Sequence, residues 1–187
     1  MRSSESRFPR PRRATDAERD ASRRCFSGMS IHIAAIPESF LTRVRTEGLD
    51  DLGQPVKRVI AEGGEPCRDV LRRARPGEEL ILASFSPFTR PGPYREYGPV
   101  FVLAHGSDEP VRRDTLEQLS GTSADYLKAQ FAVRAYSAAE EISDAALIPA
   151  SALEETVERL LGAPGTAFLH VRFPAYGCFA CRIDRTA

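Results

Sequence analysis

The sequence predicts an α+β fold, a single domain built on a largely antiparallel sheet of short strands with two or three helices. Two observations indicate this class. Seven or more segments have the length and apolar character of strands and are mostly joined by turns, whereas only two or three segments repeat apolar residues at helical spacing. The chain has 187 residues, of which 42% are hydrophobic, and this suits one domain with a substantial core.

The first predicted elements follow residue 29. The segment SIHIAAI alternates its most apolar residues with others, as a half-buried strand does. Pro37 then opens a predicted helix, PESFLTRVRTE, which Gly48 can end. The next two predicted strands, VKRVIAE and CRDVL, are separated by the turn residues GGEP.

The remaining elements are predicted from similar patterns. ELILASF and VFVLAH are predicted as strands, followed by a weak helix around residues 114–120 and by the strands QFAVRAYS and AALIP. SALEETVERLLG has the clearest helical pattern, with a capping box formed by Ser151 and Glu154 and a stop at Gly162. Two further strands, TAFLHVRF and CFACRID, close the chain around the turn PAYG.

Residues 1–28 form a separate basic extension with eight arginines and four acidic residues. They include too few apolar residues to offset the loss of chain entropy on folding, so this extension is predicted to be disordered. A nucleic-acid-binding arm is the alternative. Because Met29 directly precedes the first predicted strand, we expect translation in the host to start there, which leaves a single domain over residues 29–187.

The charge and hydropathy of the body exclude several classes of partner. From Met29 onward the chain has 18 basic and 22 acidic residues, so no nucleic-acid partner is expected for the folded domain. No apolar run approaches the roughly 18–20 residues that span a bilayer, so no membrane partner is expected either. The four cysteines and the lack of a secretory signal pattern predict reduced thiols and a soluble, cytoplasmic protein. None of the common nucleotide, hydrolase or metalloprotease motifs occurs, and no cofactor is expected.

The pair Cys178 and Cys181 in CFAC has the spacing of redox and zinc motifs. A redox pair needs a following helix to stabilise its first thiolate, but only six residues follow Cys181. In a regular strand, side chains three positions apart point to opposite faces, so the two sulfur atoms would not share a metal ion. We therefore expect no metal site, with one thiol buried and the other on the opposite side.

His170 lies in the alternating segment AFLHVRF, which places it on one strand face with Phe168 and Arg172. A lone histidine beside a phenylalanine is most often structural. The alternative is a general base, or a proton partner for the thiol of Cys67 or Cys178.

The segment SPFTRPGPYREYGP is the most unusual in the chain. Six of the thirteen residues from Pro87 to Pro99 are proline or glycine, with Tyr94 and other aromatic and arginine side chains between them. It is predicted either as a functional loop or as a rigid crossover packed across a sheet edge. Arg134 and Tyr136 are two apart and would share a strand face. Arg134 could bind a carboxylate or phosphate, or could pair with a carboxylate of the protein itself.

The segments PCRDVL, PGEELILASF, PYREYGPVFV, VRAY and FLHVRFPAYGCFACRID, in this order, resemble the bacterial domain of unknown function 1203 family. The resemblance extends from Ser30 to Arg185 and implies a natural start near Met29. It also implies that the family pattern is matched at Cys67, Arg68, Tyr94, Gly98, Pro99, Arg134, Tyr136, His170, Gly177 and Cys178. This chain departs from the family pattern at Cys181, where members of the family it resembles usually have alanine. That departure further disfavours C-x-x-C chemistry. The family has no established activity, so the resemblance implies a candidate site but no reaction.

Two functional hypotheses of different class follow. In the first, which we favour, the protein binds a small anionic molecule in a pocket lined by ligand-binding residues (Arg68, Tyr94, Arg134 and Tyr136), with His170, Cys178 and Cys67 available for catalysis. In the second, the protein is a non-catalytic interaction module in which the same side chains are structural. The sequence does not decide whether the protein is an enzyme, nor its oligomeric state.

Overall fold

The computed structural model describes residues 29–116, 119 and 126–186. In this part of the chain the strands are β1 (Ile31–Ala34), β2 (Lys57–Ile60), β3 (Pro66–Cys67), β4 (Arg72–Arg73), β5 (Glu79–Phe85), β6 (Gly98–Leu103), β7 (Gln130–Tyr136), β8 (Ile142–Pro149), β9 (Phe168–Arg172) and β10 (Phe179–Arg185). The helices are α1 (Glu38–Thr42), which continues into a π-helical turn (Arg43–Glu47), and α2 (Leu153–Gly162), which follows a 3-10 turn (Ala150–Ala152).

The strands form two sheets of five. The first sheet has the order β1-β10-β9-β7-β8, and all its neighbours are antiparallel. The second has the order β2-β5-β6-β3-β4, in which β3 and β6 run parallel. The predicted α+β class with mostly antiparallel pairing is therefore confirmed in part: the described residues are mainly β, and their strands divide between two sheets instead of forming one. A strand pattern fixes which residues face the core but does not say which strands pair.

The first sheet buries one face against α2. Val157 and Leu160 of that helix lie in the same core cluster as Leu169 and Val171 of β9. The alternation predicted for β9 is confirmed, because Phe168, His170 and Arg172 are left on the other face, next to β7 and β10. This second face of the first sheet carries the residues of interest.

The second sheet packs against α1. Phe40 of the helix and Val100 of β6 belong to one core cluster, which also includes Phe179 of the first sheet. The Phe85 and Phe179 ring centroids are 5.4 Å apart. Phe179 reaches this position through an irregularity in the pairing of β10 with β9, which makes it the partner of Arg172. The two sheets therefore meet at Phe179.

Two local predictions are wrong. CRDVL is not a strand, because the chain turns between β3 and β4 with Leu71 at a φ of 50°. The capping box is also absent, since α2 begins at Leu153 and its cap residue, Ala152, makes no side-chain hydrogen bond to the helix. The 3-10 turn over residues 150–152 places Ser151 before the cap position. By contrast, the predicted helix end at Gly48 is confirmed by a left-handed φ of 68°.

Two further predictions concern residues that lie, wholly or in part, outside the described part of the chain. The basic extension over residues 1–28 lies outside the described residues, and so do residues 117, 118 and 120 of the weak helix predicted around residues 114–120. Within the residues that are described, no helix combines the length and apolar character needed to cross a bilayer.

Candidate functional site

A cavity of about 260 Å³ lies where the loop between β5 and β6 meets the turn between β9 and β10. Strands β7, β9 and β10 contribute to its floor, and the loop and the turn form its walls. The residues that line it are Phe85, Pro87, Glu96, Tyr97, Gly98, Pro99, Arg134, Arg172, Tyr176, Gly177, Cys178 and Phe179. Two of the sequence-predicted site residues, Arg134 and Cys178, therefore contribute to one cavity.

The two arginines of this cavity differ in their partners. Arg172 is only 3% exposed, donates a hydrogen bond of 2.8 Å to the Gly177 carbonyl oxygen and forms an ion pair with Glu96. Burial lowers the pKa of Arg172 to about 10, which leaves it charged at neutral pH. Arg134 is half-buried, and no carboxylate within the described residues pairs with it. The cavity therefore carries one guanidinium that is not neutralised.

His170 lies directly beside Arg134, because the two residues are paired across β7 and β9. Its ring is fully buried between four aromatic rings, with centroid distances of 4.7–5.2 Å to Tyr136, Phe168, Phe88 and Phe179. Burial, with Arg182 nearby, lowers the pKa of His170 to about 3. The imidazole is therefore neutral at physiological pH.

The polar atoms of this aromatic cluster lack hydrogen-bond partners. Among the described residues, neither ring nitrogen of His170 has a hydrogen-bond partner, and the hydroxyl of Tyr136 has none either. Burial raises the pKa of Tyr136, and Arg134 lies near enough to oppose that shift without meeting hydrogen-bond geometry. Buried polar groups are normally satisfied, so these atoms indicate either a structural cost or a place for an additional partner.

The proline-rich loop between β5 and β6, residues 86–97, packs over the second face of the first sheet. Glu140, in the turn between β7 and β8, accepts hydrogen bonds from the Thr89 amide (3.0 Å), the Thr89 hydroxyl (2.7 Å) and the Arg90 amide (3.0 Å). Phe88 packs edge-on against both Tyr136 and His170, with ring centroids 5.4 and 5.2 Å away. The loop is thus a packed crossover that also forms a cavity wall.

Tyr94 is 41% exposed in this loop and does not line the cavity. It lies near enough to Tyr136 to affect the pKa of that residue electrostatically.

A second cavity, of about 620 Å³, adjoins the first and shares Pro99, Tyr176 and Cys178 with it. Arg68 lines this larger cavity. Its guanidinium is buried, donates a 3.0 Å hydrogen bond to the Phe179 carbonyl oxygen and lies 5.1 Å from the centroid of the Phe173 ring. Arg68 and Arg134 therefore lie in adjacent cavities, with Cys178 at the boundary.

The three described cysteines are free thiols in different surroundings. Cys178 is half-buried and its sulfur lies 3.6 Å from the Tyr176 carbonyl oxygen. Cys67 is buried in an apolar cluster and lines neither cavity, and burial raises its pKa to about 12. Burial likewise raises the pKa of Cys181, which lies in the core of the first sheet.

The prediction for the cysteine pair is confirmed only in part. Cys181 is buried as expected, but Cys178 precedes β10 and partly packs against the same core cluster. The pairing irregularity between Phe179 and Cys181 breaks the alternation on which the opposite-face prediction relied. No hydrogen bond joins Cys178 to His170, and no cluster of three or more metal-binding side chains occurs within the described residues.

Three residues of the site were not predicted as such. Arg172 shares the strand face of His170, so the alternation in AFLHVRF could have indicated it. Glu96 and Glu140 could not be found this way, because their partners are 76 and about 50 residues away in the chain.

The fold and the site together define a mainly β member of the α+β class, with two adjoining cavities where its two sheets meet. No curated protein and no solved structure has significant similarity to this chain. A family model does match, over residues 64–185. The chain belongs to the family described as "Protein of unknown function (DUF1203)", which confirms the resemblance inferred from the sequence. The match includes β3 to β10 and all of the predicted site residues, whereas β1, α1 and β2 precede it.

Proposed function

We propose that this domain binds a small anionic molecule in the cavity at Arg134. One observation carries the proposal: the Arg134 guanidinium lines the cavity and no carboxylate in the described part of the chain pairs with it. A partly desolvated charge without a counter-charge is unfavourable, and a bound carboxylate or phosphate would offset that cost through charge-assisted hydrogen bonds.

The charge balance of the cavity supports an anion with a single charge. Arg172 is already paired with Glu96, so these two side chains nearly cancel. Arg134 then leaves an excess of one positive charge. A monoanion such as a carboxylate would neutralise it, whereas a dianion would leave one negative charge in a partly buried site.

The catalytic roles of His170, Cys178 and Cys67 stay predictions, and we propose binding without a Cys/His proton transfer. A general base works best when its pKa is near the working pH, and burial lowers that of His170 to about 3. The Cys178 sulfur faces a carbonyl oxygen instead of the imidazole. Cys67 lies outside both cavities.

The test is calorimetric titration of the full chain with acetate and with inorganic phosphate, compared between wild type and Arg134→Gln. Loss of a charge-assisted hydrogen bond costs about 1.5–3 kcal/mol, so we expect acetate affinity to fall by at least ten-fold. Arg159→Gln is the matched control, because Arg159 is exposed on α2 and pairs with Asp144. It should leave binding unchanged.

The non-catalytic alternative predicts a different outcome. Arg68 and Arg172 donate hydrogen bonds to backbone carbonyl oxygens, which are structural roles, and Arg134 would belong with them. In that case Arg134→Gln lowers the melting temperature, and the wild type binds neither anion at millimolar concentration. That result, or equal affinity of wild type and Arg134→Gln, would exclude the proposed site.

A further inference from the structure

The two cavities share a wall formed by Pro99, Tyr176 and Cys178. Tyr176 is 86% exposed, at the tip of the turn between β9 and β10, so its side chain is not fixed in the core. Cys178 is half-buried directly behind it. The cavities thus adjoin at Pro99 of β6 and at this short, partly exposed turn.

The larger cavity is mainly apolar. Phe101, Leu127 and Phe173 contribute to its surface, together with Pro66, Pro99 and Pro174. Its arginines are already engaged: Arg68 donates to backbone carbonyl oxygens, and Arg73 donates to the carbonyl oxygens of Gly64 and Tyr126. The 620 Å³ volume is in the range of small-molecule sites, whereas the 260 Å³ cavity alone suits only a small head group.

We infer that the ligand is an amphipathic monocarboxylate. Its head group binds Arg134, and its apolar body extends past Pro99, Tyr176 and Cys178 into the larger cavity. The inference rests on the proposed function for the head group and adds the chemical class of the remainder. The half-buried guanidinium with no carboxylate partner lies in the small cavity. The larger cavity offers a mainly apolar surface, and its charged lining residues Glu62 and Lys128 are exposed to solvent. This separation determines which end of the ligand binds in which cavity.

The free energy of burying apolar groups sets the expected effect. Each fully buried methylene strengthens binding by roughly four-fold. Hexanoate has four methylenes more than acetate, so burial of about half of them predicts an affinity more than ten-fold higher. The dicarboxylate adipate should bind more weakly than hexanoate, because its second carboxylate would be desolvated in an apolar cavity.

The experiment compares acetate, hexanoate and adipate by calorimetry on wild type, Gln130→Trp and Ala175→Phe. Both positions are exposed and line only the larger cavity, so added bulk there fills it without disturbing the core. We expect each variant to keep acetate affinity within two-fold of wild type while hexanoate loses at least five-fold. Two variants are used so that misfolding of one does not prevent the test.

The outcomes separate this inference from the proposed function. If acetate binds in an Arg134-dependent manner but hexanoate binds no more tightly, the anion site stands and the amphipathic ligand is refuted. If adipate binds more tightly than hexanoate, the ligand is a dianion and the inference is also wrong. If no carboxylate binds, the inference is wrong, and if inorganic phosphate does not bind either, the proposed function itself fails.

Discussion

The burial of His170 predicts how the free energy of unfolding depends on pH. In the unfolded chain its pKa is near 6.5, whereas burial lowers it to about 3 in the folded protein. Between these values the unfolded chain binds a proton that the folded protein does not. The contribution to stability is therefore fully present above about pH 6.5 and is lost as the pH falls.

The size of this effect follows from the pKa difference. Each pH unit below 6.5 costs about 1.4 kcal/mol, so pH 5 lowers the free energy of unfolding by about 2 kcal/mol through this residue alone. The same loss at pH 5 is expected for any folded-state pKa below about 4. It does not depend on the exact depth of the shift.

The assay is urea unfolding at pH 7, 6 and 5 of wild type and His170→Phe. A phenyl ring suits the surrounding aromatic cluster and cannot bind a proton, so the variant should lose about 2 kcal/mol less than wild type between pH 7 and pH 5. Phe131→Leu is the control, because it changes a buried aromatic side chain in the core of the first sheet without removing a titratable group, and it should keep the wild-type pH dependence. Equal pH dependence of wild type and His170→Phe would refute the reasoning, whatever their stabilities at pH 7.

Three further predictions concern packing, the loop anchor and the thiols. Leu160→Ala, in the core under the first sheet, should lower the free energy of unfolding by about 2–5 kcal/mol in urea titrations. Glu140→Ala should cost about 1–3 kcal/mol, because it removes the carboxylate that accepts hydrogen bonds from the Thr89 and Arg90 amides, and should speed hydrogen exchange of those amides. In a Cys25→Ser variant, iodoacetamide should modify Cys178 well before the buried Cys67, as peptide mass spectrometry can show; equal rates would contradict the burial assigned to them.

Local rules predicted the faces of the strands but not their neighbours. The alternation of β9 placed His170 and Arg172 on one face, because the period of two is a property of any extended chain. That Arg134 lies beside His170 depends on the pairing of β7 with β9, across more than thirty residues of sequence. Likewise, no local pattern indicates that strands β2 to β6 form a separate sheet. The contents of the site could thus be predicted in part, whereas its assembly could not.

The errors also have local causes. The apolar residues of CRDVL suit a strand, but the chain must reverse between β3 and β4, and Leu71 is buried at a positive φ within that turn. Tertiary packing has overridden the preference of leucine here. Cys67 was grouped with the site from sequence, yet the same tight turn directs its thiol into an apolar cluster.

The loop between β5 and β6 shows how one distant contact determines the charge of the site. Its composition indicated a stiff segment, but stiffness alone does not say where the segment lies. Glu140 accepts a hydrogen bond from the Thr89 hydroxyl in the first half of the loop. In the second half, Glu96 forms an ion pair with Arg172 and neutralises its charge. If the loop moved away, the cavity would lose a wall and Arg172 would become a second unpaired guanidinium beside Arg134. The preference for a single negative charge is therefore a property of the docked loop, and weakening its anchor at Glu140 should shift binding from acetate toward phosphate.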